Sequence, residues 1–300
     1  MNWEIATAHH TGGRDEQEDR LAYFSSANGN RHLLVIADGM GGHHGGRLAS
    51  QAVIEVAQLA WHQWQQGKTS YPSPRQFLQT VCEQAHQRIN KVGQKFNVSP
   101  HSTCVLLYLQ AHQAWWAYLG DSRFYHFRQN KLLYRTDDHS VVQLLVTLGR
   151  LQETQMAQHP DQGKLLKWLG GDTSIAPELG MAKLHPEDSL VLCTDGFWAQ
   201  IAPEQMAYWL PQRAFPLRKI AKFLVAKAVR AGGLTGDNVA VILIRRVQPT
   251  RNLLARVSSI IVGILILTLA GWSLWSYLGT AMPELPPRMP MDTYGNVSTV

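Results

Sequence analysis

The chain is poor in cysteine, with three among 300 residues, Cys82, Cys104 and Cys193, an odd number without paired spacing. That excludes a disulfide framework and a Cys/His zinc site, and it points to a reducing compartment. Charged residues are also few, at 17% against 45% hydrophobic, so the composition is that of a folding chain with a sizeable core. No internal repeat and no Ser/Gly-rich linker divides residues 1–246, which therefore reads as one domain. The start, MNWEIATAHHTGG, has no basic n-region and no apolar h-region, so no secretory leader is expected. The net charge of +6 is not spread along the chain: residues 1–244 carry 23 Lys+Arg against 20 Asp+Glu, and Arg245, Arg246, Arg251 and Arg256 follow within twelve residues. An excess placed there argues against a nucleic-acid partner.

One hydrophobic run is long. Residues 257–278, VSSIIVGILILTLAGWSLWSYL, are 22 positions without a charge, enough at 1.5 Å per residue to cross about 30 Å of hydrocarbon. Trp272, Trp275 and Tyr277 crowd one end as interfacial aromatics do, and the four arginines before the run place residues 1–246 on the cytoplasmic side of a cell membrane. Residues 247–256 then form a basic juxtamembrane linker, and the Pro-rich residues 279–300 a short disordered tail outside the cell.

Within 1–246, runs rich in β-branched and aromatic residues predict strands near 3–9, 21–25, 32–37, 103–110, 114–119, 189–194 and 238–245. Helical periodicity covers 47–65, 74–92 and 216–230, with Ala49, Val53, Val56, Ala57, Ala60 and Trp64 on one face of the first. Strands that follow one another without an intervening helix predict an α+β fold, an antiparallel sheet system covered by helices.

The acidic residues sit where apolar strands meet turns. Asp38 ends LLVIADG, Asp121 ends WWAYLGD, Asp195 ends LVLCTDG, Asp237 opens GDNVAVILI, and Glu18 and Asp19 lie in the polar turn RDEQED. Any one of these is ordinary turn chemistry. As a set converging on one rim they would repel unless cations neutralise them, and oxygen-only ligands suit Mg2+ or Mn2+. Two such ions can lower the pKa of a shared water and aim it at phosphorus. Arg14, four residues before Glu18, is the candidate to fork onto phosphate oxygens.

The ordered motifs are R-x-x-Q-E-D (14–19), D-G-M-G-G-H (38–43), G-G-x-x-A-S (45–50), G-D-S-R (120–123), D-D-H-S-V-V-Q (137–143), T-D-G (194–196) and G-D-N-V (236–239). Together they resemble the bacterial branch of the metal-dependent, type 2C protein Ser/Thr phosphatases. The resemblance implies two packed antiparallel sheets flanked by helix pairs, an α-β-β-α sandwich. It implies a dinuclear Mn2+ or Mg2+ centre in which Asp38 bridges both ions and the Gly39 carbonyl binds one. Asp195 and Asp237 would hold the other ion, Glu18 and Asp19 would position waters, Asp121 would serve a third, weaker ion, and Arg14 would hold the substrate phosphate. Residues 150–171 match a mobile flap beside the site. The implied activity is hydrolysis of phosphoserine and phosphothreonine by hydroxide held between the ions, with phosphoprotein substrates and a cognate Ser/Thr kinase as partners. Met40 stands where eukaryotic members carry a histidine proposed as general acid, which leaves His43 or a water for that role.

Two other readings compete. Cys82 and Arg88 match C-x5-R of cysteine-dependent phosphatases, but VCEQAHQR lacks phosphate-cradling glycines and lies in a helical pattern. A membrane-anchored pseudophosphatase that binds phosphoprotein without turnover is the alternative from a different class, and the filled acidic positions argue against it.

Overall fold

The computed structural model describes residues 3–41, 44–172, 174–247 and 266–276. Twelve strands form among them: β1 (Trp3–His10), β2 (Arg20–Ser25), β3 (Arg31–Ala37), β4 (Gly39–Met40), β5 (His101–Ser102), β6 (Cys104–Gln110), β7 (Gln113–Leu119), β8 (Arg123–Arg128), β9 (Lys131–Arg135), β10 (Glu178–Lys183), β11 (Asp188–Cys193) and β12 (Val239–Arg246). The α-helices are α1 (Gly45–Gln65), α2 (Pro74–Phe96), α3 (Val141–Thr147), α4 (Asp195–Trp198), α5 (Pro203–Trp209) and α6 (Leu217–Gly232).

The strands pair antiparallel into two five-stranded sheets, one ordered β1-β12-β11-β8-β9 and the other β10-β7-β6-β3-β2, with β4 and β5 as a separate small pair. Both faces of the central strands are covered, which is why β3 reads as the continuous run HLLVIA instead of alternating. Its Leu33 and Val35 pack against Val53, Trp61, Phe77 and Val81 of α1 and α2. Its Leu34 and Ile36 face the opposite way, into a middle layer shared with Leu190, Leu192, Ile242 and Ile244 of the other sheet. On the far side Val191, Val241 and Leu243 pack against Met206 of α5 and against Ile220 and Leu224 of α6. Three apolar layers in this order give the helix, sheet, sheet, helix stack that the motifs implied.

The strand and helix expectations hold to within a few residues at the ends, except that α2 continues to Phe96. Five strands went unexpected. β8 reads RFYHFR, and its Arg123 and His126 break the apolar pattern although both are buried. β9 is mostly exposed, β4 and β5 have two residues each, and β10, ELGMAK, contains Gly180. That glycine is required by packing: a Cβ there would lie 2.2 Å from the Trp116 ring on the paired strand.

The chain divides after Val247 into two units. In the second, residues 266–276 are helical, with Leu267, Trp272 and Trp275 exposed. No helix among the described residues is long and apolar enough to cross a membrane. The remainder of the proposed 257–278 span, the linker beyond Val247 and the tail 279–300 lie outside the described residues.

Candidate metal centre and active site

Antiparallel pairing delivers the acidic residues to one rim. Asp38 follows the end of β3 and Asp121 follows the end of β7, while Glu18 and Asp19 precede β2, whose first residue, Arg20, pairs with Ala37. In the other sheet β11 ends beside the start of β12, Cys193 opposite Val241, so Asp195 and Asp237 arrive from neighbouring strands. All seven positions expected to touch metal gather here with Arg14. Arg14, Glu18, Asp38, Gly39, Asp121, Asp195 and Asp237 line one cavity of about 460 Å3. Asp19 lies just beneath, 3% exposed, and its Oδ2 accepts a hydrogen bond from the Thr194 hydroxyl at 2.8 Å.

The backbone around the rim is fixed from below. The Asp38 carbonyl accepts from Thr103 N (2.8 Å) and from the Ser102 hydroxyl (3.0 Å). A Cβ on Gly39 would fall 2.0 Å from the Gly46 carbonyl, so only glycine lets this turn run against the first turn of α1. Asn238 ties the first motif to β12: its Oδ1 accepts from Glu18 N at 2.6 Å and its Nδ2 donates to the carbonyls of Thr11 (2.8 Å) and Glu16 (2.9 Å). Trp198 Nε1 donates to the Asp121 carbonyl at 2.9 Å, and the Arg123 guanidinium stacks 3.4 Å over the Trp198 ring while gripping Asp138 through two bonds of 2.8 and 2.7 Å. The motif around 137–143 therefore supports the rim from underneath: Asp138 holds Arg123, His139 Nδ1 accepts from Gly120 N, and Ser140 caps α3.

Electrostatically the rim is strained by like charge. Burial, followed by repulsion from Asp19, Asp195, Asp121 and Asp237, pushes the Asp38 carboxyl well above the usual range. Asp19 and Asp121 are raised in the same way, burial first and Asp195 next, and Asp195 is raised by burial and Asp237. Glu18 is raised by burial and by Glu16. At the mouth Arg14 Nη2 meets Asp237 Oδ2 at 2.9 Å, side chains 59% and 40% exposed, and the bond and charge of Asp237 raise the pKa of Arg14.

Asp19 Oδ1 and Asp195 Oδ1 are buried without a hydrogen-bond partner. Such orphaned acceptors, in a group of all-oxygen ligands whose charges oppose one another, fit a hard cation such as Mg2+ or Mn2+. Among the described residues no three acidic, histidine or cysteine side chains already stand as a closed cage around one point; the fit lies in donor chemistry and convergence.

Three contributors escaped the sequence reading. Gln162, within the expected flap, donates from Nε2 to Asp195 Oδ2 at 3.0 Å; Thr194 and Asn238 act as described above. Thr194 and Asn238 stood inside the T-D-G and G-D-N-V motifs without a role assigned to them, and Gln162 carried no motif of its own. His43 lies outside the described residues, and no histidine occurs among the described residues lining the cavity. Cys82 is fully buried in the helix-side core and Arg88 pairs with Glu55 at 3.5 Å, which removes the cysteine-dependent reading.

Comparison with known proteins identifies the family. A family model described as protein phosphatase 2C matches residues 7–225. The protein phosphatase PhpP of Streptococcus pneumoniae is 29% identical over 232 residues, 77% of this chain and 92% of PhpP. The structure of the S. agalactiae serine/threonine phosphatase superposes with a TM-score of 0.72 at 27% identity, over 82% of this chain and 100% of that one. The catalytic domain of the serine threonine protein phosphatase PstP, solved in complex with two manganese ions, shares the fold with a TM-score of 0.69 at 24% identity, over 82% of this chain and 99% of that one. With more than two thirds of its length matched by the family model, the chain belongs to the protein phosphatase 2C family and is a protein Ser/Thr phosphatase.

Proposed function

We propose that the chain removes phosphate from phosphoserine and phosphothreonine of protein substrates with the help of Mn2+ or Mg2+, opposing a Ser/Thr kinase. The observation that carries this reading is the meeting of Asp19, Asp38, Asp121 and Asp195 at one rim with raised carboxyl pKa values and an arginine at the mouth. In it Asp38 would serve two ions and the Gly39 carbonyl one of them, Asp195 and Asp237 would hold the second, Glu18 and Asp19 would orient water, and Asp121 would serve a third. Ions of this kind supply Lewis acidity that activates water at neutral pH and offsets the charge of the phosphoryl group.

The chain's own groups do the rest. Arg14 stands half out of the cavity with its Nη2 on Asp237 Oδ2, positioned to exchange that partner for phosphate oxygens. Gln162 and Lys164, from the segment 150–171, line the same cavity, where a phosphorylated peptide would meet them. The burial of Asp19, Asp121 and Asp195 keeps bulk water from screening their charges.

The membrane belongs to the same proposal: the uncharged residues 257–278 anchor the phosphatase by a single pass, with residues 1–246 on the cytoplasmic side. The test is turnover of a phosphothreonine peptide with Mn2+, after chelation, and by the Cys82→Ser variant. Activity is expected with Mn2+, is lost in chelator and survives Cys82→Ser. Turnover that persists in chelator sinks the metal reading, and absence of turnover under every metal restores the pseudophosphatase.

A further inference from the structure

Residues 205–236 contain six Lys+Arg and no Asp or Glu, although the charge over 1–244 is nearly balanced. Folding collects part of that excess on one face. α6 buries Leu217, Ile220, Ala221, Leu224, Val225 and Ala228, which turns Arg218, Lys219, Lys222 and Phe223 outward. Beside them the Trp209 ring lies 4.8 Å from Phe223 and 6.4 Å from Phe215, centroid to centroid. Phe215 and Phe223 are 48% and 47% exposed, and Lys219 borders the cavity of about 290 Å3 that these rings enclose.

This cluster sits at the end of the domain where the chain leaves β12. Arg245 Nη2 donates to the Phe215 carbonyl at 2.9 Å and Arg213 Nη1 to the Arg246 carbonyl at 2.7 Å. The opposite end of β12 begins beside Asp237, and its eight residues separate the two poles by roughly 26 Å at about 3.3 Å each. α6 runs back between them, its C-terminal Val229 and Gly232 lining a cavity with Asp195 and Asp237. In the sequence only residues 247–256 intervene before the apolar run, a reach of at most about 35 Å.

We propose that this basic, aromatic face docks on an anionic lipid bilayer and so holds the metal rim at the pole turned away from it. The orientation rests on the membrane reading of residues 257–278; the chemistry of the face does not. Clustered cations are drawn to anionic headgroups, and Trp and Phe rings settle at the boundary between headgroups and acyl chains. An acidic protein segment would satisfy the cations, but the position of the face at the exit of β12 brings it within one short linker of the bilayer, which favours lipid.

The experiment is vesicle co-sedimentation of residues 1–247, a unit that holds all three cores and matches the whole length of the S. agalactiae phosphatase. Binding to vesicles with about a third phosphatidylglycerol, little to pure phosphatidylcholine, and release by salt are expected. Arg218→Gln, Lys219→Gln and Lys222→Gln together should weaken binding roughly a hundredfold, at about fivefold per cation. Phe215→Ser with Phe223→Ser should weaken it about tenfold or more. Hydrolysis of p-nitrophenyl phosphate stays unchanged in both variants, which confirms that they fold. Equal binding to neutral and anionic vesicles, indifference to the triple variant, or capture of a Glu-rich peptide with no capture of vesicles overturns the proposal. Carbonate extraction of the full chain separates the two readings. A chain retained in membranes while 1–247 ignores anionic vesicles leaves the anchor and removes the docking face; a released chain removes the anchor and the orientation drawn from it.

Discussion

Asp38→Asn should make the protein more stable in chelator and less stable in Mn2+, a crossing of signs that few other roles for this residue would produce. The substitution leaves the backbone bonds from Thr103 and Ser102 in place, because they use the Asp38 carbonyl. It removes one charge from a group that the carboxylates of Asp19, Asp195, Asp121 and Asp237 repel. Two unit charges about 4 Å apart at an effective permittivity near 20 repel by about 4 kcal/mol, and proton uptake by the raised carboxyls relieves part of this, so a gain of roughly 1–3 kcal/mol is expected without metal. For a domain of this size that is a rise in Tm of about 2–10 °C. The gap also depends on pH. The folded carboxyl pKa is raised, so the native wild type holds protons that the unfolded chain has released, and wild-type stability in chelator falls as pH rises from about 4 through the folded value. Asparagine has no such term, and the advantage of the variant widens over that window. In Mn2+ at about 100 times its Kd the wild type gains about 2.7 kcal/mol by mass action, and the variant should lose most of that gain. Loss of a partner merely supporting a metal ligand already costs 10–100-fold, so phosphothreonine turnover should fall by at least about a hundredfold. Thermal unfolding of both proteins in EDTA and in Mn2+, from pH 5 to 9, measures all of this. A variant that is less stable than wild type in EDTA, or one that keeps both its Mn2+ stabilisation and its turnover, refutes the reasoning.

Arg14→Lys replaces a bidentate fork by a point charge; KM for a phosphopeptide should rise about tenfold, with a smaller change in kcat, by steady-state kinetics. Asp188 is wholly buried and, although burial acts to raise it, hydrogen bonds from His126 and Arg128 hold its carboxyl below the usual range. Its contribution is therefore complete above about pH 4 and lost as pH falls through the folded value, and Asp188→Asn should cost about 3–5 kcal/mol at pH 7 but progressively less in acid, read from urea unfolding at each pH. Gly180→Ala drives a methyl into the Trp116 ring and should lower stability by about 1–3 kcal/mol while leaving metal dependence of turnover unchanged; a neutral result would mean that the β10 edge shifts freely.

The stack of layers was readable because β3, β6, β11 and β12 are buried on both faces and appear as unbroken apolar runs. The site was readable because antiparallel pairing obliges alternate strand ends to meet, so acids placed at the ends of β3, β7 and β11 and at the starts of β2 and β12 had a common destination. What stayed hidden depends on long-range pairing. Arg123 and His126 belong to a buried strand only because Asp138 and Asp188 neutralise or bond them from 15 and 62 residues away. Gln162 touches Asp195 from a segment with no periodicity of its own, and no local pattern announces such a contact.

The rim draws its acids from both sheets, and the two sheets touch through the layer of Leu34, Ile36, Leu190, Leu192, Ile242 and Ile244. That hydrocarbon seam sets the spacing of the carboxylates as a spacer sets the gap of a jaw. A methylene added or removed there, far from any phosphate, changes how closely Asp38 and Asp195 approach, and catalytic competence becomes a property of the packing between the sheets as much as of the acids themselves.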